Sequence, residues 1–181
     1  MTFYELCKNQ QIYDKLMKEI NENVKDFDKV EHSDLSKFQY LDLVLKETSR
    51  LHNAVAFKFP RVTDQDYTKE DLYLNKQLVV CHRLAQYSQQ CEILKDSEEY
   101  IPERKNRNAK SFSSFDVIPF STGPRNCIGQ HLALIQSKYL IIYFLKNFEL
   151  KKLQGYKLHA IQKHSNHPIN EELVLISRKK I

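Results

Sequence analysis

The 181-residue sequence predicts a mainly α fold with small β sheets. Three observations carry that prediction. Apolar residues recur at helical spacing in two early segments. A later stretch is apolar on most sides over the length of a long helix. Only short strand-like runs, bounded by turn residues, lie between and after them.

Residues 3–24 read as one amphipathic helix, because Ile12, Leu16 and Ile20 recur every four residues with Lys and Glu between them. Residues 26–34 are polar and predict a loop. A second helix runs from Ser36 or Lys37 to His52, with Tyr40, Leu41, Val44, Leu45 and Leu51 as its apolar stripe. Glu47 and Arg50 fall on a neighbouring stripe, three apart, so their side chains share a face. Short strands are expected at 55–59, ended by Pro60, at 72–74 and at 77–81. Residues 87–115 are irregular and polar, interrupted by a short helix near 88–94; a stretch of this length is often functional. Residues 128–146 predict a helix so apolar that it should be buried, and the tail predicts short strands at 148–153 and 173–176.

Composition narrows the function classes. Ten Tyr and ten Phe are more aromatic residues than disordered chains carry, so a folded core is expected. The formal net charge of +5 is modest, and Lys and Arg alternate with Asp and Glu. That pattern predicts solvated faces and no nucleic-acid partner. Cys7, Cys81, Cys91 and Cys127 form no C-x-x-C pair, which argues against a zinc site, and with no signal peptide before them reduced thiols are expected rather than a disulfide framework. No run approaches the roughly eighteen apolar residues of a membrane-crossing helix. Membrane association is expected only through segments absent from this sequence. The seven His share no spacing and read as surface or satisfied residues.

The chemistry concentrates around one cysteine. The chain has only three Gly and five Pro, yet Pro119, Gly123, Pro124 and Gly129 all cluster about Cys127. These residues shape and stiffen a loop. Cys127 sits at the start of the predicted helix, where orphan amides and the helix dipole suit a thiolate. Arg125, two residues earlier, supplies a permanent cation suited to a carboxylate. Thiolate for iron and guanidinium for a propionate are what a haem requires.

The run from Phe120 through Gly123, Arg125 and Cys127 to Gly129 resembles the cytochrome P-450 haem signature F-x-x-G-x-R-x-C-x-G at every fixed position. Two further motifs follow the order of that family. Glu47 and Arg50 match E-x-x-R, inside a run similar to K-E-x-x-R-L-H. Residues 96–104 resemble D-P-x-x-F-x-P-E-R, with Ser97 for Pro and Tyr100 for Phe. Asn53 stands where that family places a Pro, Lys105 where it places an aromatic, and 74–77 in place of its I-P-x-G turn.

The resemblance implies that 1–181 forms the C-terminal, haem-binding portion of a cytochrome P-450 fold, with the N-terminal part and the distal oxygen-handling helix absent. It implies haem b as cofactor, Cys127 as axial ligand of the iron, Phe120 against the ring, and Arg125 with Arg61 toward the propionates. Gly123 and Gly129 would shape the loop, and Glu47, Arg50 and Arg104 would form a buried structural triad. An electron-donating reductase and a small apolar organic substrate are the implied partners. Lys105, Arg107, Lys110 and Lys138 are candidates for docking an acidic reductase. A full-length eukaryotic member would sit on the cytosolic face of the endoplasmic reticulum membrane. Two readings stay open: a haem-thiolate monooxygenase or a fragment of one, and a non-catalytic remnant that acts through protein partners.

Overall fold

The computed structural model describes residues 1–55, 60–81, 96–104, 118–152, 160–162, 166–168 and 174–178. The architecture is mainly helical with small antiparallel sheets. Among the described residues the helices are α1 (Thr2–Lys8), α2 (Gln10–Asn23), α3 (Gln39–Leu51) and α4 (Gln130–Asn147). Among the described residues, no helix is long and apolar enough to cross a membrane.

The expected single helix over 3–24 is two helices. Asn9 breaks it, with backbone angles of −121° and 80°. Its side-chain amide donates to the Glu5 carbonyl oxygen at 2.9 Å, an alternative to continuing the helical ladder. The stripe itself holds, for Leu16 and Ile20 are fully buried. They join Leu6, Val24, Phe38, Leu41, Val44 and Leu45 in a core shared by α1, α2 and α3, to which α4 adds Ile141, Ile142 and Leu145.

The polar loop over 26–34 contains a 3₁₀ turn, Phe27–Lys29, and a second, His32–Lys37, extends past it. That second turn takes up Ser36 and Lys37, so α3 starts later than its sequence pattern suggests.

Among the described residues the small sheets are four antiparallel pairs. β1 (Arg61–Val62) pairs with β4 (Val79–Val80), and β2 (Tyr67–Lys69) with β3 (Leu72–Leu74). β5 (Phe148–Lys152) pairs with β8 (Val174–Arg178), and β6 (Ala160–Gln162) with β7 (Asn166–Pro168). The expected strand at 55–59 lies, apart from Val55, outside the described residues, as do the helix near 88–94, Cys91, and the docking candidates Lys105, Arg107 and Lys110.

α4 departs from expectation on one side. Ile141, Ile142 and Leu145 are buried, yet Leu132, Leu140 and Tyr143 are exposed, so the helix buries one stripe rather than its whole circumference. Lys138 is not the free surface cation of the docking expectation. Its ammonium donates to the Leu35 carbonyl oxygen at 2.9 Å and lies 2.9 Å from an Asp42 carboxylate oxygen, tying α4 to α3.

A buried carboxylate ties α1 to the end of α3. Glu5, 1% exposed, meets the His52 ring nitrogen Nε2 at 2.7 Å. Burial raises the Glu5 carboxyl, but the His52 hydrogen bond and the Lys8 ammonium outweigh it and hold the group below its ordinary value of 4.5. A carboxyl depressed on folding contributes stability above its unfolded pKa and loses it as pH falls through the folded one. Denaturant midpoints measured at about pH 6 and about pH 3.5 should therefore drop further for the wild type than for Glu5→Gln. Equal drops would remove Glu5 from the acid response.

Candidate functional site

α3 carries the first part of the site because its pattern buries one face and turns Glu47, Thr48 and Arg50 inward. Glu47 and Arg50 form a bidentate pair: Arg50 Nε donates to Oε2 and Nη2 to Oε1, each at 2.9 Å. Arg104, from the segment 96–104, brings its Nε to Oε1 at 3.3 Å, and the Ile101 amide donates to the same oxygen at 3.0 Å. The three residues are 5%, 1% and 8% exposed, so none relies on bulk water.

The guanidinium protons left over are directed at backbone. Arg50 donates to the carbonyl oxygens of Ser97 (2.6 Å) and Glu99 (3.0 Å). Arg104 donates to those of Asp96 (2.6 Å) and Glu99 (2.9 Å). One carboxylate and two guanidiniums thus bind the irregular 96–104 segment to α3. Buried charge of this kind is tolerated only with such dense hydrogen bonding.

Tyr100 adds a lock that sequence reading missed. Its hydroxyl lies 2.8 Å from Thr48 Oγ1 and 3.0 Å from the Val44 carbonyl oxygen, which Thr48 Oγ1 also reaches at 2.9 Å. Two hydroxyl protons serve these contacts. The signal was present as a Tyr at a position matched to Phe, but only the fold supplies the partners. Burial pushes the Tyr100 phenol well above its ordinary 10.0, against a smaller opposing effect of the Thr48 hydrogen bond. Tyr100→Phe should cost about 0.5–1.5 kcal/mol at neutral pH in a urea titration. A raised tyrosine contributes stability below pH 10.0 and loses it as pH rises through the folded value. The wild type should accordingly lose more stability than Tyr100→Phe between about pH 8 and pH 11; parallel losses would contradict this.

Asn53, where the resemblance led one to look for Pro, is buried and accepts the Val55 amide on its Oδ1 at 3.1 Å. Its side chain closes the turn after α3, a task an Asx residue performs in place of a fixed ring.

The second part of the site is the cysteine loop. The Ser121 amide donates to the Ile118 carbonyl oxygen at 3.3 Å, and Ser121 itself holds a φ of 66°. Gly123, with φ 77°, opens a 3₁₀ turn, Gly123–Arg125. A Cβ there would meet nothing within 4 Å, so the glycine serves backbone conformation and not space. The Cys127 amide closes the loop onto the Phe120 carbonyl oxygen at 2.9 Å.

α4 begins at Gln130, with Gly129 as its N-cap, so Cys127 lies just ahead of the helix rather than within its first turn. A Cβ on Gly129 would stand 3.9 Å from the Cys127 sulfur, in ordinary van der Waals contact. Cys127 is a free cysteine and exposed, as are Arg125 and Ile128. Arg61 is exposed on β1.

The two parts share a wall. A cavity of about 360 Å³ is lined by Leu45, Glu47, Arg50 and Arg104 on one side and by Pro119, Phe120 and Leu134 on the other. The structure thus brings Glu47, Arg50, Arg104 and Phe120 around one space, and presents Arg125 and Cys127 outward on the adjoining loop. An unpaired thiol, a guanidinium two residues away and exposed apolar Ile128 and Leu132 fit an iron, a propionate and a porphyrin face respectively.

Comparison with known proteins gives the same direction. The Cytochrome P450 family model matches residues 1–177. Cytochrome P450 3A18 of Rattus norvegicus is 32% identical over 167 residues, covering 92% of this chain and 33% of the relative. Cytochrome P450 3A5 of Homo sapiens is 31% identical over 150 residues, 83% of this chain and 30% of the relative. Probable cytochrome P450 6w1 of Drosophila melanogaster is 32% identical over 161 residues, 81% of this chain and 30% of the relative. The chain spans about a third of the length of the curated relatives it matches.

Proposed function

Since the chain belongs to the cytochrome P450 family, we propose that residues 1–181 are the C-terminal haem-binding portion of a haem-thiolate monooxygenase. The observation that carries the proposal is the outward-facing Cys127 thiol on a loop closed by its own amide, beside Arg125 and against the cavity walled by the buried cluster. Cys127 would hold the iron of haem b, Arg125 and Arg61 would pair with propionates, and Phe120 would lie against the ring. Gly123 gives the loop its turn, and Gly129 caps α4 beside the sulfur.

Haem, when bound, supplies the activation of O₂ and the insertion of one oxygen atom into an apolar organic substrate. The residues of this chain supply the ligand, its orientation and the charge that neutralises the propionates. Glu47, Arg50 and Arg104 act further back, holding α3 and segment 96–104 as a stiff support behind the loop. In the whole protein an electron-donating reductase would be the partner, with the endoplasmic reticulum membrane as the setting.

The exposed apolar face of α4, with Leu132 and Leu140 at 59% and 50% exposure, favours a second reading as an interaction module without catalysis. Titration of the purified chain with haem, followed by reduction and CO, separates the two. Saturable uptake at one haem per chain with a strongly red-shifted Soret band supports the first. Absence of uptake, together with binding of an apolar dye and self-association, supports the second.

A further inference from the structure

α3 holds two of the three charged residues of the cluster, yet its own start is poorly made. The N-cap residue is Phe38, which has no side-chain acceptor, and no side-chain cap comes from that position. The first turn of a helix leaves amides without intrahelical partners, and those of the second and third residues are the ones a capping oxygen takes. In α3 these belong to Tyr40 and Leu41. Both are taken by Glu19 of α2: the Tyr40 amide donates to Oε1 at 2.6 Å and the Leu41 amide to Oε2 at 2.9 Å. One carboxylate from 21 and 22 residues upstream does what an N-cap side chain does, with a full negative charge at the positive end of the helix.

The same helix reaches the other half of the cluster. Lys15, one turn before Glu19, lies 2.7 Å from the Glu103 carboxylate, the neighbour of Arg104. That pair is exposed and adds little by itself. The two amide bonds of Glu19 are charge-assisted and partly buried, so they dominate the link. Tyr40 and Glu47 are about two turns apart on one rigid helix, so an axial or rotational slip at the first turn moves the Glu47 carboxylate relative to Arg104.

We propose that Glu19 is a positioning residue for the Glu47–Arg50–Arg104 cluster, acting through the first turn of α3. It fixes where α3 sits along its axis, and thereby where Glu47 meets the guanidinium from segment 96–104. The inference stands on the geometry of α2 and α3 and does not require haem. Its failure is therefore distinguishable from failure of the haem reading.

The test compares wild type, Glu19→Gln, Glu19→Ala and a control, Ile20→Val, in the cofactor-free chain. Ile20 is a fully buried neighbour on α2, so the control loses stability without touching the cap. Amide exchange is followed at Tyr40 and Leu41, and the Nε–H resonances of Arg50 and Arg104 by NMR. Glu19→Gln keeps the size of the side chain but turns a donor toward one of the two amides. It should speed exchange at Tyr40 or Leu41 by about tenfold or more and shift the Arg104 Nε–H resonance, with Glu19→Ala affecting both amides. Ile20→Val should leave the Arg104 resonance in place. Faster exchange at the amides with unmoved arginine resonances would make Glu19 a cap only and overturn the positioning role. Unchanged amides would overturn the cap as well. Glu19→Gln decides the matter even where Glu19→Ala does not fold.

Discussion

Cys127→Ala is expected to abolish the red-shifted Soret band of the haem-loaded, reduced, CO-treated chain. Cys127 is held outward by a loop in which its own amide is already committed to the Phe120 carbonyl oxygen. Ala leaves that backbone unchanged, because a shorter side chain fits every dihedral the Cys adopts. The loss therefore reads ligation and not folding, and far-ultraviolet circular dichroism and the urea midpoint should match the wild type. His131, on the first turn of α4, is exposed and is the nearest imidazole in sequence. Haem bound through it would give a different Soret position, so retention of the original band in Cys127→Ala would end the case for thiolate ligation. Cys127→Ser sharpens the result. An alcohol is a far weaker donor than a thiolate at neutral pH, and the band should disappear there too. Cys81→Ser serves as the control, since Cys81 is free and exposed but lies on a different part of the chain.

Local sequence announced the parts of this site that are local. The turn-forming residues about Cys127, the i,i+3 spacing of Glu47 and Arg50, and the stripe of Leu41, Val44 and Leu45 all act within a few residues. Each can be read before any fold is known. Arg104 was legible only through the resemblance, for its partner lies 57 residues away. Glu19 was not legible at all. A search for a cap looks at the residue before the helix, and here the acceptor comes from another helix. The apolar stripe also placed the start of α3 too early, because Ser36 and Lys37 belong to the preceding 3₁₀ turn, where the Ser36 hydroxyl donates to the Ser33 carbonyl oxygen at 2.9 Å.

α4 shows the complementary error. Its sequence is apolar on most sides, and that pattern predicts a buried helix. Burial, however, belongs to the partner as much as to the helix. α1, α2 and α3 cover the stripe of Ile141, Ile142 and Leu145, while Leu132, Leu140 and Tyr143 stay exposed. Lys138 was misread for the inverse reason. A lysine counts as surface in a sequence, but this one spans from α4 to Leu35 and Asp42 with its stem buried.

Glu47→Ala is expected to cost about 3–5 kcal/mol, the penalty for stranding buried charge. Folding free energies of single domains run to about 5–15 kcal/mol, so this one substitution should remove much of the margin. The count of donors explains why. Glu47 accepts from Arg50 twice, from Arg104 and from the Ile101 amide, and all four lose their acceptor together. The backbone oxygens of Asp96, Ser97 and Glu99 remain, but they carry no formal charge to balance two guanidiniums. Glu47→Gln should fall between, because its carbonyl oxygen keeps one set of bonds while its amide turns donors toward donors. The cost should also be strongly non-additive. Once Glu47 is gone, Arg104→Met removes a cation that has nothing to pair with, so the double variant should be no worse than Glu47→Ala and regain part of the loss. Urea midpoints with unchanged slopes measure all of this. A Glu47→Ala midpoint corresponding to less than about 1 kcal/mol would mean that water or a rearranged 96–104 segment solvates the arginines. An additive double variant would mean that Arg104 is held by Asp96 and Glu99 alone. The buried cluster would then be an arrangement of neighbours rather than one cooperative support for the cysteine loop.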